Sequence, residues 1–288
     1  MFGRQLSILL ILSTLLANGC GTGLSIPQDI NVTGSIFYPD VLSTEAFSEN
    51  SISFTKDERT IFVSRTTGWQ YQSGHLSKKQ KGAFVTTTPI QQLDSIYNGA
   101  ISPSGKKIIF CSKKNEQEEI FLLSKRKGKW NTMENISTTS DIYGGYFYWS
   151  NEEELYFYTS ASKGDIVRGK LNGNQLTITD ELDNLNTPDG TEFSPFVDKK
   201  KRYIIFTRYL EGDSDQQGFF ISFNRSTSRQ PDWSTPKKVA FLPYGWNAYV
   251  LEQESLLLYS NGDDIIKIPL KKFNLEIDKI RNAMTNDE

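Results

Sequence analysis

Histidine and cysteine are scarce in this 288-residue sequence, which holds one histidine and two cysteines. The histidine, His75, lies in the polar stretch 73–78, which we interpret as an exposed loop. A zinc site needs several His or Cys ligands, and a Ser-His-Asp triad needs a histidine base. The sequence therefore predicts no metal site and no bound cofactor, and it offers His75 as the one base for such a triad.

A strong charge of either sign is also missing, since the formal net charge is −2. Proteins that bind nucleic acid carry an excess of Lys and Arg to neutralise phosphates, so no nucleic acid partner is expected. Short basic runs occur at 78–81, 125–127 and 199–202, and we interpret them as solvated tips of turns. Aromatic residues are plentiful, with 18 Phe and 13 Tyr, which favours β-strands over helices.

Long apolar runs are limited to the N-terminus, where residues 6–16 follow Arg4. This run is too short to span a bilayer and has the length of the apolar part of a secretory signal. The small residues 17–19 come next and lead directly into Cys20. This order resembles the lipobox of bacterial lipoproteins, in which the cysteine carries the lipid.

The lipobox resemblance implies that residues 1–19 are a removed signal peptide, that Cys20 is lipidated and that residues 20–35 form a tether. Gly21 rather than Asp follows Cys20, which resembles sorting to the outer membrane. With Cys20 lipidated, Cys111 has no disulfide partner, and we interpret it as a small buried residue. The alternative is an ordinary secretory signal in which Cys20 is incidental.

The rest of the chain repeats one unit, in which an apolar segment, a tight turn and a second apolar segment follow one another. The clearest copy spans residues 100–110, with a Pro-Ser-Gly turn at 103–105, and such a unit predicts a β-hairpin. Third strand-like segments follow in most copies, and fourth strands are expected at 130–136, 176–182 and 233–239. The second segments contain Val63, Phe110, Phe157, Phe206 and Tyr259, which are 47, 47, 49 and 53 residues apart.

Four strands repeating with a period near 45 residues are typical of β-propeller blades. Residues 101–106 also resemble the repeat signature of TolB-like and WD40-like propeller lipoproteins of the bacterial envelope. We therefore expect an all-β fold, a β-propeller of four-stranded blades over residues 36–272, and a short C-terminal helix over 273–288. We count five blades, and six is the alternative if a degenerate unit lies in 21–45 or 64–95.

The two flanks of the repeat region have their own expected structures. Residues 35–39 form an apolar segment before the first unit, and we expect them to add a strand that closes the ring. After the last unit, Phe273, Ile277 and Ile280 lie on one helical face. This spacing predicts a helix that either packs against the outside of the ring or frays.

A propeller fold serves many functions, so two interpretations of function stay open. The first is a monomeric binding platform at the cell envelope, anchored to the membrane by its lipid, for a protein or glycan partner. The alternative is a glycosidase that uses two carboxylates. We favour the platform over an enzyme because the sequence names no complete catalytic set.

Both interpretations place the site at the mouth of the central funnel, where the first strand of each unit begins. Acids there would serve a glycosidase, and aromatic side chains would stack on a ligand. No catalytic residue is assigned. The candidate ligand-binding residues are Glu49, Tyr97, Asp141, Tyr143, Glu192 and Trp246.

Overall fold

The computed structural model describes residues 34–286 except for 69–71, 115–116, 139–143, 161–163 and 229. The expected signal peptide, Cys20 and most of the expected tether lie outside the described residues. Within the described part of the chain, no helix is long and apolar enough to cross a membrane. The same residues contain no group of three or more His, Cys, Asp or Glu side chains placed to hold a metal ion.

The first half of the described chain is made of strands. The strands are β1 (Ser35–Ile36), β2 (Ser48–Phe54), β3 (Thr60–Thr66), β4 (Gln72–Gln80), β5 (Ala83–Phe84), β6 (Thr88–Ile101), β7 (Lys107–Lys114), β8 (Gln117–Arg126), β9 (Lys129–Asn135) and β10 (Ser137–Thr138). Apolar β-branched and aromatic residues form the buried parts of strands such as β3 and β7, as strands with buried faces require, whereas β4 and β9 are mostly polar.

The second half continues in the same way and ends in a helix. Its elements are β11 (Gly144–Trp149), β12 (Glu154–Thr159), β13 (Asp165–Asn172), β14 (Gln175–Asp180), β15 (Thr191–Val197), β16 (Tyr203–Tyr209), β17 (Gly218–Phe223), β18 (Lys237–Lys238), β19 (Trp246–Leu251), β20 (Leu256–Ser260), β21 (Ile265–Pro269) and α1 (Leu270–Asn286). A single short 3-10 helix, Ser214–Gln216, interrupts the described strands.

The strands form five blades, as the repeat predicts. The long strand β6 belongs to two of them, because its first half pairs with β4 and its second half with β7. Blade 1 is β2-β3-β4-β6 and blade 2 is β6-β7-β8-β9; blades 3 and 4 are β11-β12-β13-β14 and β15-β16-β17-β18. Blade 5 is β19-β20-β21-β1. The fold is therefore a five-bladed β-propeller.

The last blade is completed by the first strand, which closes the ring. Strand β1 pairs antiparallel with β21, with Ser35 opposite Lys267 and Ile36 opposite Ile266. The innermost strand of each blade also contacts that of the next, and β19 contacts β2. The expected closing strand is thus confirmed.

The hydrophobic core is divided among the interfaces between blades. Each of the five neighbouring pairs of blades encloses its own cluster of buried apolar side chains. A single blade cannot bury both of its faces, so stacking around the axis supplies the stability. Helix α1 extends the cluster between blades 4 and 5 by burying Phe273 and Ile277, which confirms that it packs on the outside of the ring.

Two expectations about local structure are wrong. His75 lies within β4, opposite Val63 of β3, and only 9% of its surface is exposed, whereas we expected an exposed loop. The residues around His75 are mostly polar, so the sequence alone does not indicate a strand there. The strand forms because β4 pairs with β3 on one side and with β6 on the other. The expected fourth strand of blade 4, over 233–239, is reduced to Lys237–Lys238.

Candidate functional site at the mouth of the ring

The mouth is the end of the ring at which the innermost strands begin. In blade 1, Glu49 lies opposite Arg65, but Ser51 lies opposite Ser64. The inner strand therefore holds one extra residue, which is a β-bulge. The innermost strands of the other four blades show an equivalent shift in register, so all five bend at the same level around the axis.

In each inner strand, the residue directly after the last pair before this register shift is polar. We call these five residues the bulge ring: Asn50, Asn98, Tyr146, Ser194 and Asn247. The last four have backbone φ angles between 50° and 55°, a left-handed conformation that is uncommon outside glycine. Strained backbone of this kind concentrates at functional sites.

The bulge ring links neighbouring blades, yet part of its hydrogen-bonding capacity is unused. Asn98 and Tyr146 share a side-chain hydrogen bond, and Asn247 Nδ2 donates to the Asn50 carbonyl at 3.3 Å. Among the described residues, neither amide atom of Asn50 has a partner, nor does the hydroxyl of Ser194, although all are buried. An unsatisfied buried polar group costs about 1–3 kcal/mol, so these atoms favour a polar partner from outside the chain.

The expected acids Glu49 and Glu192 lie near the mouth but are fully buried. Glu49 Oε1 lies 3.0 Å from Arg65 Nε, and Glu192 Oε1 lies 2.6 Å from Arg208 Nε. Burial raises the pKa of Glu49 to about 7, against the opposing effect of Arg65. Burial likewise raises the pKa of Glu192, opposed by hydrogen bonds from Thr187 and by Arg208.

The two acids are held by the same set of contacts, which we call the acid brace. Each carboxylate accepts hydrogen bonds from the backbone and hydroxyl of a threonine five residues earlier, Thr44 or Thr187. Each partner arginine also donates to the carbonyl of a buried leucine seven residues before the acid, at 2.8 or 2.9 Å. The brace therefore ties the loop before an inner strand to its own blade.

The expected aromatic residues have different environments. Trp246 is half-buried, and its Nε1 donates to the Asn50 carbonyl at 2.8 Å. Tyr97 is half-buried and packs against the core between blades 2 and 3. Asp141 and Tyr143 lie outside the described residues. Trp246 is thus an expected residue that contacts the bulge ring directly, through the hydrogen bond from its indole.

Four tyrosines lie at the same end of the ring as Trp246, and the sequence did not single them out. Tyr209 and Tyr244 are 42% and 44% exposed, and the ring of Tyr244 lies 6.4 Å from that of Trp246. Tyr146 and Tyr158 pack edge to face at 6.2 Å. We call these five residues the aromatic rim. Tyr209 is the last residue of β16 and Tyr158 the last but one of β12, and both pair there with the start of an inner strand.

The opposite end of the ring, where the hairpins turn, is the hairpin end. It contains an open cavity of about 500 Å³ lined in part by Phe54, Tyr148 and Tyr249. Here Lys199 reaches across from blade 4, with its Nζ 2.7 Å from Glu58 and 3.1 Å from Glu252. Lys199 is thus ion-paired, so our interpretation of run 199–202 as simple solvated tips is wrong for this residue.

Polar contacts join each hairpin at this end to the next. The fully buried Glu58 also accepts hydrogen bonds from the backbone amides of Glu252 and Gln253, at 3.1 and 2.8 Å. The remaining neighbours are joined by Lys56 N to Pro103 O, Ser104 Oγ to Glu152, Lys201 to Glu154 and Lys199 to Glu252. The hairpin end is therefore a closed circle of polar contacts.

Comparison with known proteins supports this fold. No family model and no curated protein matches the chain. An α-L-arabinofuranosidase from Lactobacillus brevis is 12% identical with a TM-score of 0.53, over 80% of this chain and 93% of that chain. TolB from Acinetobacter baumannii is 14% identical with a TM-score of 0.46, over 77% and 54%. At 12% identity, the likeness to the arabinofuranosidase shows the β-propeller fold alone.

Proposed function

We propose that this protein is a binding platform of the bacterial cell envelope, monomeric and anchored to the membrane by a lipid on Cys20. Its partner, a protein or a glycan, would bind at the aromatic rim. The observation that carries this proposal is the exposure of Tyr209 and Tyr244, the second of which lies against Trp246. Exposed aromatic side chains that cluster around one opening are typical of recognition surfaces.

The acid braces weigh against the glycosidase alternative. Glycoside hydrolysis uses two carboxylates, roughly 5–10 Å apart, that reach the scissile bond. Glu49 and Glu192 are fully buried and each is bonded to a threonine and an arginine. They also belong to blades 1 and 4, which are not neighbours in the ring. The brace accounts for both acids as structural residues.

The binding proposal is tested by removing the exposed rim. We expect the double variant Tyr209→Ala and Tyr244→Ala to lose capture of envelope proteins or glycans, as measured by pull-down and glycan array. The control is Met133→Ala, since Met133 is 54% exposed on the outer strand β9. Turnover of a glycoside panel that disappears in Glu192→Gln, while binding persists, would instead establish the enzyme.

The anchoring part of the proposal has its own test. Several acyl chains hold a lipoprotein firmly, whereas a single chain binds a membrane only marginally. We expect Cys20→Ser to move the protein from the membrane fraction to the soluble fraction after cell lysis. A Cys20→Ser protein that still sediments with membranes would contradict lipidation at this residue.

A further inference from the structure

The bulge ring brings five hydrogen-bonding side chains to one level around the axis, one from each blade. They comprise three carboxamides and two hydroxyls, and the list is Asn50, Asn98, Tyr146, Ser194 and Asn247. Amides and hydroxyls both donate and accept hydrogen bonds. None of them carries charge at neutral pH, because carboxamides and serine do not ionise and a tyrosine ordinarily ionises only near pH 10.

The ring combines unsatisfied groups with groups that a ligand can reach. Asn50 and Ser194 are buried without hydrogen-bond partners among the described residues. Asn98, Tyr146 and Asn247 are only half-buried. A ligand that enters from the mouth would therefore contact the half-buried members. A hydrogen bond from the ligand to Asn50 or Ser194 would recover part of the desolvation cost of that residue.

The surroundings of the ring indicate the charge of such a ligand. Two acids near the mouth, Glu49 and Glu192, are each paired with an arginine, and the five ring residues that would contact the ligand are themselves uncharged. In the adjacent rim, Tyr244 is 44% exposed and packs edge to face on the half-buried Trp246, and the faces of both rings are apolar. A ligand that suits both the bulge ring and the aromatic rim has many hydroxyl groups, an apolar face of C–H groups and no net charge.

We infer that the bulge ring binds the end of an uncharged glycan, with a sugar ring against Tyr244 and Trp246 and its hydroxyls bonded to Asn98 and Asn247. This inference rests on the proposed binding function and narrows it from any protein or glycan to neutral carbohydrate. Aromatic walls with a few convergent polar groups are the usual composition of small-molecule sites. None of the five ring residues was a candidate from the sequence.

The inference is tested with a panel of neutral hexasaccharides of glucose, xylose, arabinose and mannose, titrated by calorimetry against the full exported chain. Asn98→Gly and Asn247→Gly remove the amides while glycine keeps the left-handed backbone available. We expect each variant to bind the best hexasaccharide at least tenfold more weakly. Asn174→Gly is the matched control, because Asn174 is exposed at the outer turn of blade 3, and its affinity should equal that of the parent.

Salt and charged probes separate the remaining outcomes. A neutral ligand should bind equally at low and high salt, whereas an ionic one weakens as salt screens it. Tighter, salt-dependent binding of a hexagalacturonate would overturn the inference, and so would failure of all four neutral probes. If the aromatic rim still captures an envelope protein in that case, the proposed binding function stands without the glycan. If neither binds, both fail.

Discussion

The mouth and the hairpin end are built from the same repeated strands, but they treat polar groups in opposite ways. At the hairpin end, Lys199, Glu58 and their neighbours complete a circle of contacts that joins every pair of adjacent blades. At the mouth, the bulge ring leaves Asn50 and Ser194 without partners among the described residues, and Tyr209 and Tyr244 of the aromatic rim are exposed. The contrast indicates that the hairpin end stabilises the closed ring. The mouth can therefore retain strained backbone and polar groups without hydrogen-bond partners.

The most severe test of this division removes a whole blade. Deleting residues 241–288 takes away β19, β20, β21 and α1, so the neighbours of blade 5 lose an interface and β1 loses its partner. Exposed sheet edges pair with other chains, and we expect this truncation to aggregate or fail to fold. Circular dichroism and size-exclusion chromatography are the measurements. A soluble truncation that melts cooperatively would show that ring closure is dispensable.

A single substitution at the hairpin end should have the next largest effect. Glu58→Ala removes the acceptor of Lys199 and of two backbone amides, and breaking a buried pair costs about 3–5 kcal/mol. Because Lys199 is partly exposed, we expect the lower value, read from urea unfolding. Glycan or protein binding at the mouth should be unchanged.

The control for Glu58 is an exposed ion pair. Glu153→Ala breaks only the pair with Lys170, in which both side chains are at least 60% exposed, and such pairs contribute about 0–1 kcal/mol. If Glu58→Ala destabilises no more than Glu153→Ala, the hairpin end does not hold the ring as we describe.

The mouth end should respond to pH through His75. Burial, with a contribution from Arg65, lowers the pKa of His75 from 6.5 to about 4. Between these values the unfolded chain binds a proton that the folded chain does not, so acidification favours unfolding. Replacing His75 with Gln removes this effect. The excess stability of the parent over His75→Gln should therefore fall, on the order of 2 kcal/mol, as pH drops from 6.5 to 4.

Comparison with His75→Gln is needed because Glu49 acts in the opposite direction. Its raised pKa, about 7, means that the folded chain binds a proton before the unfolded chain does. Unfolding of the parent alone would mix the two effects. A difference between parent and variant that is constant from pH 6.5 to 4 would contradict a buried neutral His75.

The smallest effect is expected at Cys111, which resembles hydroxyl residues of other blades. Its thiol donates to the Gly144 carbonyl of the next blade, as Thr207 donates to Gly245 and Ser260 to Glu49. Cys111→Ser keeps a donor, so its unfolding free energy should change by less than about 1 kcal/mol. Cys111→Ala loses the bond and should be the less stable. The reverse order, in urea unfolding, would make Cys111 a simple apolar residue.

The blades could be predicted from the sequence because a hairpin is a local pattern. Residues 100–110 show apolar segments on both sides of a turn, and the period carries that pattern around the ring. The strand that contains His75 was missed because its residues are polar. They are buried only because neighbouring strands pack and pair with them. Tertiary pairing of this kind overrides local propensity.

The candidate site was predicted in position but not in composition. Trp246 was found because it begins an inner strand, whereas Asn247, one residue later, was not, since a bulge depends on the register of two strands. The acid brace does leave a signal in the sequence, although it did not enter the prediction of the site. A threonine lies five residues before both Glu49 and Glu192, and an arginine lies 16 residues after each.

Closure of blade 5 by β1 also fixes the order in which the protein can finish folding. Ser35 pairs with Lys267, so the contact that seals the ring joins segments from nearly opposite ends of the chain. Contacts of such long sequence separation form slowly, and these contacts cannot form until the last blade has been synthesised. A passing chaperone or protease would therefore meet a half-open ring with free strand edges, and the time spent in that state would set the yield of the folded protein.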